Sequence, residues 1–118
     1  MKLVPFSTLL GRTLESVVGK AGDEQLDFRT TSGQEFVMLH DQACCESVSV
    51  EDIVGDFNDI VGLPIILAEE RSSAEGYTCT WTFYRLGTSR GLVTIRWLGE
   101  SNGYYSEAVS FYMKPPYI

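Results

Sequence analysis

The chain has 118 residues, a mass of 13.2 kDa, a formal net charge of −7 and a pI of about 4.5. One domain over residues 1–118 fits that length, and 44% hydrophobic residues argues against disorder. Nine scattered basic residues do not make a phosphate-binding surface, so direct nucleic-acid binding is not expected. In chain order, residues 6–10 are a short apolar run ended by Gly11, and residues 14–18 are strand-like. Residues 25–31 and 35–40 alternate around Ser32-Gly33 and predict a β-hairpin, with His40 at its end on the face of Phe36 and Met38. Residues 47–51 predict a further short strand. Asp56 as N-cap, Asp59 three residues later, and Gly62 and Pro64 as stop signals predict one short helix.

Residues 63–70 are apolar on both faces and predict a central strand. Residues 77–86 alternate strictly, with Tyr77, Cys79, Trp81, Phe83 and Arg85 on one side and Thr78, Thr80, Thr82 and Tyr84 on the other. Residues 92–98 return from a hairpin-length loop, and residues 104–113 follow the Asn102-Gly103 turn. The expectation is a three-stranded antiparallel meander over residues 77–113 that buries Trp81, Phe83, Ile95, Val109 and Phe111. The fold class is mainly β (α+β): a mostly antiparallel sheet of about seven or eight strands with one short helix, as a sandwich or a partly closed barrel.

No apolar run is long enough to cross a bilayer, so no membrane association is expected. Residues 1–5 carry one lysine and no long apolar core, unlike a signal peptide. Three cysteines are an odd set and suit free thiols in a reducing compartment, so the expected location is the cytoplasm.

Chemically versatile groups concentrate in residues 40–56, which hold the single histidine and two adjacent cysteines. His40, Cys44, Cys45 and Glu46 form the first candidate binding group. Structural zinc uses two spaced ligand pairs, and H-x3-C-C is not that pattern. Neither a metal nor a cofactor is expected, and one of Cys44 and Cys45 is expected to pack inward. A thiol with a nearby imidazole is the minimal unit of nucleophilic catalysis. No surrounding motif supports it here, so no residue is assigned a catalytic role. The pairs Glu51/Asp52, Asp56/Asp59, Glu69/Glu70 and Glu100/Glu107 match neither a calcium loop nor an established acid–base pair. The second candidate group is the turn around Glu100, Asn102, Tyr104 and Tyr105, with Glu107 beyond it. Trp97, Tyr104 and Tyr105 beside acidic groups suit a protein interface or a grip on a small polar ligand. An ordinary hairpin turn with cross-strand aromatic pairs is the alternative.

The strings H-D-Q-x-C-C-E-S-V-x-V-E-D-I-x-G-D at residues 40–56, W-T-F-Y at 81–84 and R-W-x-G-E-S-N-G-Y-Y-S-E at 96–107 resemble a family of small phage-borne proteins known only as a domain of unknown function. The likeness covers about residues 11–113 and carries no established chemistry. It implies a phage or prophage origin and a host-directed role, such as inhibition of a host defence system. The expected function is therefore non-enzymatic binding to a host protein. The alternative is a small-ligand or metal-binding protein, with or without thiol chemistry, centred on residues 40–46.

Overall fold

In the computed structural model, which describes residues 1–118, nine strands form two antiparallel sheets. They are β1 (Lys2–Leu3), β2 (Leu14–Val18), β3 (Gln25–Thr30), β4 (Glu35–Leu39), β5 (Ser47–Val54), β6 (Leu67–Glu75), β7 (Cys79–Thr88), β8 (Gly91–Glu100) and β9 (Ser110–Met113). One sheet has the order β1-β9-β4-β3-β2 and the other β5-β8-β7-β6. The architecture is an open two-layer sandwich, and neither sheet closes on itself.

The β3/β4 hairpin is present in the expected register, with Phe28 opposite Phe36. Alternation of period two sends Leu26, Phe28, Phe36 and Met38 into the core from one sheet. From the other come Val48, Val50, Tyr84, Leu86, Val93, Ile95 and Trp97. Phe111 on β9 meets Phe6, Phe28 and Phe36, with ring centroids 5.2, 5.6 and 5.3 Å apart. Trp97 donates its indole N–H to the Met38 sulfur at 3.1 Å, so the two layers are joined by a polar contact as well as by packing.

Several expectations are corrected. The face of β7 is the reverse of the one expected: Thr82 and Tyr84 are buried, and Trp81 and Phe83 are only half-buried on the outer side of their sheet. There, the Arg96 guanidinium lies over the Trp81 ring. Alternation marks a strand with two different faces but not which one is inside. Here Tyr84 turns inward because its phenol can donate to Glu70 at 3.1 Å. Ile95, Val109 and Phe111 are buried as expected.

The meander is also different. β7 and β8 pair, but β9 leaves that sheet and pairs with β4 and β1 in the other. The strand expected over residues 63–70 is displaced to Leu67–Glu75 and is an edge strand, exposed along most of its length. Residues 62–66 tie the layers together instead. Ile65 exchanges backbone hydrogen bonds with Gly11 and Arg12, and Ile66 bonds to Gly87. The expected helix is reduced to a 3-10 turn over Phe57–Asp59, although Asp56 does cap it by accepting from the Asn58 N–H. A second 3-10 turn spans Phe6–Leu9 and plugs one end of the sandwich with Phe6 and Leu9.

The reversed face of β7 gives a direct test. Phe111→Ala removes a buried ring and should cost about 3–5 kcal/mol. Phe83→Ala should cost about 1 kcal/mol, because that ring keeps one side in water. Urea unfolding of both variants measures the difference; equal losses would contradict the assignment of faces.

Candidate functional site

Both candidate groups from the sequence lie at the same end of the sandwich, on the loop from β4 to β5 and the loop from β8 to β9. Glu46 organises the first loop. It is 5% exposed, and an ionised carboxylate at such depth must be fully hydrogen-bonded. Its two oxygens accept from the Ala43 N–H at 3.0 Å, the Cys44 N–H at 2.8 Å, the Gln42 amide at 3.1 Å and His40 Nε2 at 2.8 Å. Gln42 also donates to the Glu46 carbonyl at 2.6 Å. These donors hold the Glu46 carboxyl down at about 2, the His40 bond contributing most and burial opposing it. The other ring nitrogen of His40 donates to the Ala108 carbonyl at 2.6 Å. A carbonyl and a carboxylate can only accept, so His40 meets an acceptor at each ring nitrogen.

His40 thereby ties the first loop to the second. Asp41 reinforces the joint by accepting from Ser110 at 3.1 Å and from the Tyr112 phenol at 2.6 Å. In the second loop Glu107, nearly buried, accepts from Thr80 at 2.6 Å and from the Ser101 hydroxyl. The loop crosses β8 closely: a Cβ at Gly99 would sit 2.7 Å from the Glu107 carbonyl oxygen, so only glycine fits there. Asn102 accepts from the Tyr104 N–H at 2.9 Å and shapes the turn.

Tyr104, Cys44 and Cys45 face outward, Tyr105 is half-buried beside them, and Tyr77 joins them from the β6–β7 turn. Tyr104 and Tyr105 stand edge to face at 5.1 Å. A Cβ on Gly103 would lie 3.2 Å from the Tyr77 carbonyl oxygen, so the two turns abut. Tyr77 is 92% exposed and Tyr104 84%. Contact with the Cys44 thiol, then partial desolvation, raises the Tyr105 phenol above its ordinary value. Glu75 and Glu100 are both cross-strand neighbours of Cys79 and are exposed. Burial first, then the charges of Glu75, Glu100 and Glu107, pushes the Cys79 thiol up.

A family model described as a domain of unknown function (DUF7448) matches residues 7–111. The chain belongs to that family. No curated protein and no solved structure matches it. Within this DUF7448 chain the expected residues are brought together, but in different roles. His40, Glu46, Asn102 and Glu107 are spent on internal hydrogen bonds. Trp97, expected beside the tyrosines, is fully buried. Neither Cys44 nor Cys45 packs inward as expected; both are exposed, because Glu46 draws the intervening amides toward itself. No three His, Cys, Asp or Glu side chains are placed to share a metal ion. Of the other paired carboxylates, Glu51 and Asp52 meet Arg96 and Glu69 meets Arg85, whereas Glu70 accepts from Tyr84 and Asp56 caps the 3-10 turn. Tyr77 is not among the candidates because strict alternation places it in a strand, whereas β7 begins only at Cys79. The signal was Gly76 before it in a polar stretch, which marks a turn tip.

The Glu46 hydrogen bonds make stability depend on pH with a definite sign. Its carboxyl falls from the ordinary 4.5 to about 2 on folding, so the unfolded chain binds the proton more readily. The stabilisation is complete above pH 4.5 and is lost as pH falls through 2. The urea midpoint of the wild type should drop across that window. Glu46→Gln should lower the midpoint at neutral pH and flatten the drop. An unchanged acid limb in the variant would contradict the role given to Glu46.

Proposed function

We propose that the protein acts by binding, without catalysis of its own, to a basic surface of a host protein. It would do so in the host cytoplasm, as a phage- or prophage-encoded antagonist of a host system such as a defence pathway. The observation that carries this reading is the exposure of Tyr77 and Tyr104, which two separate turns bring together at one end of the molecule. Large aromatic rings left in water beside a rigid scaffold are typical anchors of protein interfaces, where they supply contact area at small cost in side-chain entropy. The underlying loops are held by Glu46 and Glu107, so the rings are presented on a preorganised base. Glu75 and Glu100 lie along the same edge, and the chain as a whole carries −7. An acidic rim steers a basic partner toward the aromatic centre. No helix is long and apolar enough to cross a membrane.

The division of labour can be measured with the immobilised protein and a partner recovered from lysate of a bacterial host. Tyr77→Ala and Tyr104→Ala should each weaken binding by about tenfold or more, mainly through faster dissociation. Glu75→Gln with Glu100→Gln should slow association and reduce its salt dependence, which vanishes near 1 M salt where the Debye length is about 3 Å. Glu107 is unsuited to this experiment, because its substitution would disturb the loop. If a partner bound equally to wild type and to both tyrosine variants, at low and high salt, this end would not be the docking surface.

A further inference from the structure

The thiols of the two adjacent cysteines take no part in the hydrogen bonds to Glu46, and both side chains are exposed. Their sulfurs are 2.8 Å apart, one thiol directed at the other. The loop conformation that gives Glu46 its two backbone donors leaves the two thiols converging on the same side. We propose that Cys44 and Cys45 form a reversible redox modification site, a dithiol that hydroperoxides close to a vicinal disulfide.

The chemistry balances with hydrogen peroxide as the oxidant. The Cys44 sulfur, as thiolate, attacks one peroxide oxygen; the O–O bond breaks, water leaves after proton transfer, and Cys44 becomes a sulfenic acid. The Cys45 sulfur then attacks the Cys44 sulfur; the S–O bond breaks, hydroxide leaves and takes the Cys45 proton as water, and the S–S bond forms. Two thiols and one peroxide give one disulfide and two waters. The hydrogen bond to Cys44, followed by partial desolvation, pushes the Cys45 thiol up, and the same steps balance with the two sulfurs exchanged. Attack requires a thiolate, so the reaction quickens as pH rises toward the ordinary thiol range.

Reversibility follows from covalent geometry. Adjacent α-carbons are about 3.8 Å apart across a trans peptide, whereas disulfides usually span about 4.4–6.8 Å. The closed ring is therefore strained, and strained exposed disulfides are easily reduced. Closure also alters the backbone around Cys44, whose N–H holds Glu46, and the thiol that contacts Tyr105.

The experiment treats the full chain with hydrogen peroxide at pH 7 and pH 8.5, then counts thiols and maps peptides by mass. The expected result is a fall from three titratable thiols to one, with loss of two hydrogens from the Cys44–Cys45 peptide. Closure should be severalfold faster at the higher pH and fully reversed by dithiothreitol. Cys79→Ser should still close the pair. Cys44→Ser and Cys45→Ser should not, and each should hold sulfenic or higher acids instead. Three results each overturn the proposal: a wild-type pair that stops at sulfenic or sulfinic acid, a disulfide to Cys79 or between two chains, or three thiols surviving peroxide at both pH values.

Discussion

A buried carboxylate with no cation from lysine or arginine beside it is the constraint on which this end of the molecule depends. Glu46 must be satisfied by hydrogen bonds or not be ionised at all. Four donors come from within six residues of it, so the loop between β4 and β5 can adopt few shapes. His40 is the donor that extends this constraint across the molecule. Its second nitrogen holds the Ala108 carbonyl, and Ala108 belongs to the loop that carries Tyr104 and Tyr105. The same loop is fixed at its other side by Glu107 on Thr80 and Ser101. Two buried carboxylates thus convert two irregular connections into one rigid surface, and the exposed tyrosines rest on it.

The crossing of β9 makes this possible. Because β8 and β9 belong to different sheets, the nine residues between them must span the end of the sandwich and cannot form a tight hairpin. They pass over β8 at Gly99, where a side chain would block them, and bring Ala108 to His40 on the way to pairing β9 with β4. Phe111 then locks β9 by packing against three rings from three other parts of the chain.

Much of the strand content was legible because it depends on local alternation: the β3/β4 hairpin, the β7 and β8 strands, and β5, which runs a few residues longer than expected. What was not legible depends on long-range contacts. The inward face of β7 could not be read from a strand with aromatic residues on both sides; the partner for the Tyr84 hydroxyl, Glu70, lies on a neighbouring strand. The destination of β9 is fixed by β4, some seventy residues earlier. The segment before Gly62 has a true N-cap at Asp56 but too few residues to propagate a helix, so it stops at one 3-10 turn. At the site, the clustering of His40, Cys44, Cys45 and Glu46 was visible as composition. Its logic was not, because spacing alone cannot distinguish groups that face a ligand from groups that satisfy each other.

Glu46 is ionised and held by its own loop and by His40, and side-chain carboxyl carbon shifts followed by NMR against pH test that directly. The Glu46 signal should titrate with a midpoint near 2, well below the exposed carboxylates around it. A midpoint near the ordinary 4.5 would mean the loop does not grip this carboxylate, and the rigid platform under the tyrosines would have no foundation.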